Sequence, residues 1–316
     1  MKKLWVLLFA ALGILVVVGI IAFVVADRKF AVLKSPEFSH SSYVTPDTRV
    51  QIAAWPGRGE DTLTALLEAA FPEDQRPSSW VVRRILPQEV AILIAPDVPQ
   101  GSAAVTGFVN DQRLGPVIRD AVNSANISKS VPTVRWANEG MVLEKRGVLT
   151  LRGETRIDRL TQDLTGKTWA GYAVAGPLEL EGGHAVEAVL DNRDGGAFAV
   201  LSAFRLLVGA DGKNNPEFFV GMFANVDSMR VFADFTGPQD VALTLRIDCR
   251  PDVEEDIPGS LQFFLDMGIA QGKKEVESKG AALNGASRLE GKSVVGEYTI
   301  SGLDKLVRSS AGSSAS

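Results

Sequence analysis

Of 316 residues only Cys249 is a cysteine, and only His40 and His184 are histidines. A single thiol excludes an intramolecular disulfide and any multi-cysteine metal site, and it leaves the redox compartment open. Two histidines leave few metal-ligand sets, and the composition implies no cofactor. Basic charge is also scarce. Setting aside Lys2, Lys3, Arg28, Lys29 and Asp27, the 33 basic and 38 acidic residues of the chain become 29 and 37. A net acidic chain lacks the electropositive footprint that neutralises phosphates, which argues against nucleic acid as a partner.

Catalytic motifs are missing too. There is no Gly-x-Ser-x-Gly elbow, and no Ser-x-x-Lys stands ahead of a helical pattern. Gly291-Lys292-Ser293 resembles the end of a phosphate loop, but five residues separate it from Gly285 where four are required, and a strand pattern follows it. Gly166-Lys167-Thr168 has Thr161 at the first-glycine position and reads as a turn. His184 and Glu187 lie three apart in a strand pattern, which sends them to opposite faces, so His184 reads as a surface histidine beside Gly182-Gly183. Cys249 would need a histidine as base to act as a nucleophile, and it reads instead as a structural cysteine at a strand end. Asp252, Glu254, Glu255 and Asp256 suit the positive end of a following helix and lack the spacing of a calcium loop. The residues point away from an enzyme without deciding the matter.

What is present begins with residues 4–25, a run without a charged or strongly polar side chain. At about 1.5 Å per residue, roughly 20 apolar residues span the hydrocarbon core of a bilayer. The run is longer than a cleaved signal's apolar region, so it reads as an uncleaved signal anchor, although Val24-Val25-Ala26 also fits a cleavage site. Lys2 and Lys3 ahead of it favour a cytoplasmic N-terminus. The expected location is the inner membrane of a bacterial envelope, single-pass, with the bulk of the chain periplasmic.

Residues 34–46 read as a Ser- and Pro-containing tether. Beyond it, strands are expected at 49–55, 89–95, 102–110, 133–138, 141–145 and 148–151, and helices at 61–71, 78–86 and 111–123. The order then recurs. Strands are expected at 185–190, 229–235, 241–248, 281–289 and 293–300, with helices at 197–208 and 252–275. Sliding the chain by 139 residues lays Pro77 on Pro216, Trp80 on Phe219, Val81 on Val220, Pro99 on Pro238, Gln100 on Gln239 and Ala103 on Ala242. A weaker echo pairs residues 157–160 with 303–306.

The fold class expected is therefore α+β, a transmembrane helix followed by two ferredoxin-like βαββαβ repeats with antiparallel sheets. One continuous domain with a larger shared sheet is the alternative. The domain plan is anchor 1–33, tether 34–46, first repeat 47–155, inter-repeat segment 156–183 with a strand between the sheets, second repeat 184–308 and a disordered tail 309–316. Trp80, Phe218, Phe219, Phe223, Phe263 and Phe264 suit helix cores. Trp80 and Phe219, if exposed together, would form a partner-binding patch related by the duplication. The expected function is a non-enzymatic scaffold or assembly factor that binds another envelope protein. The alternative is a ligand-binding or sensory ectodomain with a pocket between the repeats.

Overall fold

The computed structural model describes residues 39–70, 89–97, 101–110, 134–137, 140–146, 159–172, 174–203 and 216–313. The apolar run 4–25 lies outside these, and among the described residues no helix is long and apolar enough to cross a membrane. The fold is α+β. The first half contains β1 (Val50–Ala54), α1 (Glu60–Ala70), β2 (Glu89–Asp97), β3 (Ser102–Asn110), β4 (Val134–Ala137), β5 (Gly140–Arg146) and α2 (Arg159–Thr168). The second contains β6 (Val186–Asp191), α3 (Gly196–Ala203), α4 (Pro216–Phe223), β7 (Val226–Gly237), β8 (Asp240–Cys249), α5 (Ile257–Ser278), β9 (Ala282–Glu290), β10 (Ser293–Ser301) and α6 (Leu303–Ser313).

The ten described strands form one sheet in the order β4-β5-β3-β2-β1-β6-β7-β8-β10-β9. Every pairing is antiparallel. The two halves join where β1 lies against β6, Val50 opposite Leu190 and Ala54 opposite Val186. Counted outward from that seam, the halves read β1-β2-β3-β5-β4 and β6-β7-β8-β10-β9, the same order twice. This is the shared-sheet alternative. It departs from the ferredoxin-like plan, in which the first strand lies beside the third: here each first strand pairs directly with the second. Periodicity sets which residues form strands, whereas strand neighbours are chosen by packing across the sheet.

Antiparallel partners project to the same side, so the register divides the side chains by face. Val50, Ile52, Ile94, Leu190, Met229, Val231, Leu245, Ile247 and Val294 share one face. They form a single core with Phe198, Val200 and Leu201 of α3, Val220 and Phe223 of α4, and Leu261 and Leu265 of α5. Phe198 stacks on Trp169 at 5.5 Å and meets Phe223 at 6.0 Å. The terminal helix of each half crosses to the other: α2 packs on α3 and α4, and α6 packs on α1. On the opposite face, Ala53 and Ala91 are covered by Tyr43, Trp55 and Leu180.

Three boundaries differ from the sequence expectation. The tether ends sooner, because Ser39 onward is folded against the sheet and His40 is buried with its Nδ1 2.5 Å from Glu89 Oε1. The inter-repeat segment holds a helix, α2, instead of a crossing strand, and Gly166-Lys167-Thr168 is its last turn rather than a loop. The tail expected to be disordered from 309 is helical through Ser313, since Leu303 packs beside Val186, Ala233 and Val241 and anchors the helix. The helices expected at 78–86 and 111–123 and the strand at 148–151 fall outside the described residues.

Candidate functional site

Chemistry-bearing side chains gather in three places, the first of them around His184. His184 Nδ1 lies 2.5 Å from Asp234 Oδ2, and Asp234 Oδ1 accepts from the Ala185 amide at 3.0 Å. Glu187, fully buried, accepts from the Gly182 and His184 amides at 2.9 Å each. Arg58 donates to the Gly182 and His184 carbonyls and stacks over Trp55 at 4.8 Å. These bonds hold residues 182–185 just ahead of β6. The pair expected to diverge, His184 and Glu187, meets through backbone, because His184 precedes the strand. Cys249 lies at the far end of β8, six residues beyond Leu243, which is level with Val186. At about 3.4 Å per residue that is roughly 20 Å from the histidine, so the two cannot act together.

Cys249 is buried in the core, as a structural cysteine would be. Burial, reinforced by the carboxylates of Asp248 and Asp227, pushes its thiol up to about 11 from 9.0. The folded chain therefore keeps this proton over a pH range where the unfolded chain has lost it, and stability is expected to fall as pH rises from 9 towards 11. A thiol-alkylating reagent at neutral pH should leave the folded protein unmodified and label it fully in denaturant; prompt labelling of the folded form would contradict the burial.

The second group surrounds the turn after β6. Asn192 Nδ2 donates to the Phe223 and Val226 carbonyls at 2.9 and 3.1 Å, and its Oδ1 accepts from the Phe198 amide at 3.0 Å. Arg49 from the first half reaches Asp194 in the second at 2.8 Å. Arg193 is paired with Asp191, and Arg250 donates to the Ala224 and Arg193 carbonyls while lying over the Tyr172 ring at 4.0 Å. These groups lock the halves together and leave none of their charges free for a substrate.

The third group is different because it sets exposed apolar side chains beside a terminal strand. β9 is a terminal strand of nine residues, so one side of its backbone has no partner strand among the described residues, whereas β4 at the other end has four residues. Beside β9 lies α5, tied to it by Gln262 Nε2 donating to the Ser287 carbonyl at 3.1 Å and by Ser287 Oγ donating to Asp266 Oδ1 at 2.6 Å. One residue round the helix stand Phe263 and Met267, four apart on a common face, 64% and 36% exposed, and Leu289 on β9 is 46% exposed. Across the strand's polar face Arg288 bridges Glu290 and Glu297 at 2.9 Å each. Such charges are a common guard on a sheet edge, and here they cover only that face.

Trp80 lies outside the described residues, and for Phe219 the structure places the backbone, in α4. The patch expected of them is neither assembled nor broken. Sequence reasoning assigned Phe263 to a core and missed it as a surface group. The signal was the Phe263-Phe264 pair itself: adjacent helical residues are about 100° apart, so both cannot point at the centre of one face. Among the described residues no cluster of histidine, cysteine and carboxylate side chains could hold a metal.

No protein-family model matches the chain, and no curated protein matches its sequence. Among solved structures, crystal form I of TP0453 aligns over 85% of this chain and 95% of its own at 11% identity, with a TM-score of 0.35. That likeness is too slight to carry an argument.

Proposed function

We propose that this chain is a membrane-anchored, periplasmic protein of the bacterial inner membrane. It acts without catalysis, as a scaffold or assembly factor that takes an extended segment of another envelope protein on the free edge of β9. The carrying observation is the conjunction at β9 of an unpaired strand edge with exposed Phe263, Met267 and Leu289. Strand addition supplies main-chain hydrogen bonds and adjoining apolar contacts supply selectivity.

The anchor supports a protein partner over a lipid one. Thirteen residues, 26–38, separate the apolar run from Ser39; at no more than about 3.6 Å per step, they keep His40 within roughly 54 Å of the end of that run. His40 is fastened to Glu89, at the start of β2. Leu289 shares its row with Val294, Ile247, Met229, Leu190 and Val50, at the opposite end of the strands. In the strand register, Leu289 thus lies at the end opposite Glu89. The shared strand order of the halves also supports an internal duplication.

The test is chemical crosslinking in intact native membranes with mass spectrometry, comparing the full chain, the part from Lys34 onward and a Phe263→Asp variant. The full chain should capture a discrete envelope protein, and Phe263→Asp should reduce that capture at least tenfold. Because Phe263 is exposed, the substitution should alter stability by no more than about 0.5 kcal/mol. Equal capture by the variant, or no specific capture by any form, would remove the support for this reading.

A further inference from the structure

β9 presents two unlike faces to a strand laid along its free side. Leu289 lies opposite Val294 on the side of the sheet where α5 packs, and α5 carries exposed Phe263 and Met267. Ala286, Arg288 and Glu290 lie opposite Glu297, Val295 and Ser293 on the other side. Side chains alternate between faces at every residue, so an added strand would send one set to the apolar groups and the other to the charges.

Those charges are unequal. Arg288 is the only cation on its face of β9, and it bridges two carboxylates, Glu290 and Glu297, at 2.9 Å each, all three side chains being exposed. Arg246 on β8 comes within 3.9 Å of Glu290, but its charge is matched by Asp248 at 2.7 Å. Glu297 stands one strand inward, yet its partner on β9 is Ala286, which has only a methyl group to screen it from a strand beyond. The hydrogen bond from Arg288 holds the Glu297 carboxyl below the usual carboxylate range, so it is ionised at neutral pH. Acidic charge continues around the end of the strand. Lys292, in the turn after β9, donates to the Pro251 and Val253 carbonyls, which sets the segment ahead of α5 at the Glu290 end. That segment carries Asp252, Glu254, Glu255 and Asp256, all exposed, and no basic residue occurs from 251 to 272.

Resting on the reading of β9 given above, we infer that the segment it takes alternates apolar and basic residues, the apolar ones facing Phe263, Met267 and Leu289 and a lysine or arginine standing opposite Ala286, where it meets Glu297 and Glu290. Opposite charges on adjacent strands attract and like charges repel, so an acidic segment of the same pattern is rejected. The four carboxylates ahead of α5 add attraction at longer range, which salt weakens.

The probes are three fluorescein-labelled nine-residue peptides in which valine alternates with lysine, threonine or glutamate, each titrated into the full chain in detergent and followed by fluorescence anisotropy. The lysine peptide should half-saturate at about tenfold lower concentration than the threonine peptide, the scale of one or two opposite-charge pairs across strands. The glutamate peptide should bind more weakly than either. E290Q/E297Q should remove the preference for lysine, and because its ion pairs are exposed the edge should stay folded. E179Q/E181Q, which removes two carboxylates ahead of β6, should leave the preference unchanged, and Phe263→Ser should weaken all three peptides. A lysine preference that survives E290Q/E297Q, or lysine and threonine peptides that bind alike while both depend on Phe263, would overturn the charge assignment and leave the reading of β9 standing. Binding of no peptide, or binding indifferent to Phe263, would overturn both.

Discussion

Replacing Asn192 with alanine is expected to destabilise the fold by about 3 kcal/mol, one of the two largest single-residue effects anticipated here. The side chain is 1% exposed and closes three bonds, to the Phe223 and Val226 carbonyls and from the Phe198 amide. The last of these caps α3. The residue before that helix is Gly195, which has no side chain to accept from the first-turn amides, so Asn192 reaches forward to serve the third helical position. Alanine would leave one amide and two carbonyls to find other partners in a buried region, and a net contribution near 1 kcal/mol each is the ordinary scale for such losses. Denaturant unfolding of the full chain in detergent would measure the change, and hydrogen exchange would locate it. The first turn of α3 and the end of α4 should lose protection together. A loss below about 1 kcal/mol would mean that water or neighbouring groups replace all three bonds.

Gly285→Ala is the second, with an expected cost of roughly 3 kcal/mol or more. Gly285 sits within β9 at φ +142°, and a Cβ there would lie 2.1 Å from the Glu297 carbonyl oxygen and 2.6 Å from Tyr298 Cα. Both are backbone atoms of β10, so no rotamer relieves the contact; β9 must separate from β10. The cross-strand partner of Gly285 is Tyr298, whose ring also lies over Gly296, where an added Cβ would be 2.5 Å from it. Two glycines and one tyrosine are thus a single packing unit at the sheet edge. Because β9 is the edge proposed to bind a partner, Gly285→Ala should reduce capture and lower Tm together, whereas Phe263→Asp should reduce capture alone. A Gly285→Ala chain that melts as the wild type does would show that the strand accommodates the methyl group, and the account of this edge would need revision.

Much of the fold was legible in the sequence. β1, α1, β2 and β3 lie within two residues of the strands and helix expected at 49–55, 61–71, 89–95 and 102–110, because alternation and helical spacing are local signals. The matched prolines Pro99 and Pro238 do fall between β2 and β3 and between β7 and β8. The departures have a common cause. His40 read as tether because its partner Glu89 is 49 residues away, and α2 read as a crossing strand because Trp169 shows nothing of the helix it meets. Phe263 read as core because a helix with apolar residues on more than one side does not announce which side the sheet will take.

By itself, then, the sequence determined the class and the exclusions: α+β elements in a recurring order, an apolar run of membrane-spanning length, no disulfide, and no motif for phosphate, metal or acyl chemistry. Each follows from residue type and short-range spacing, which persist whatever the chain does at long range. Only the tertiary structure decided that the halves share one sheet through β1 and β6, that each first strand lies beside the second, that both histidines are paired with carboxylates, and that exposed Phe263, Met267 and Leu289 stand on α5 and β9. Those outcomes depend on which of several compatible surfaces is buried against which, a choice made by packing over the whole sheet that no single segment encodes.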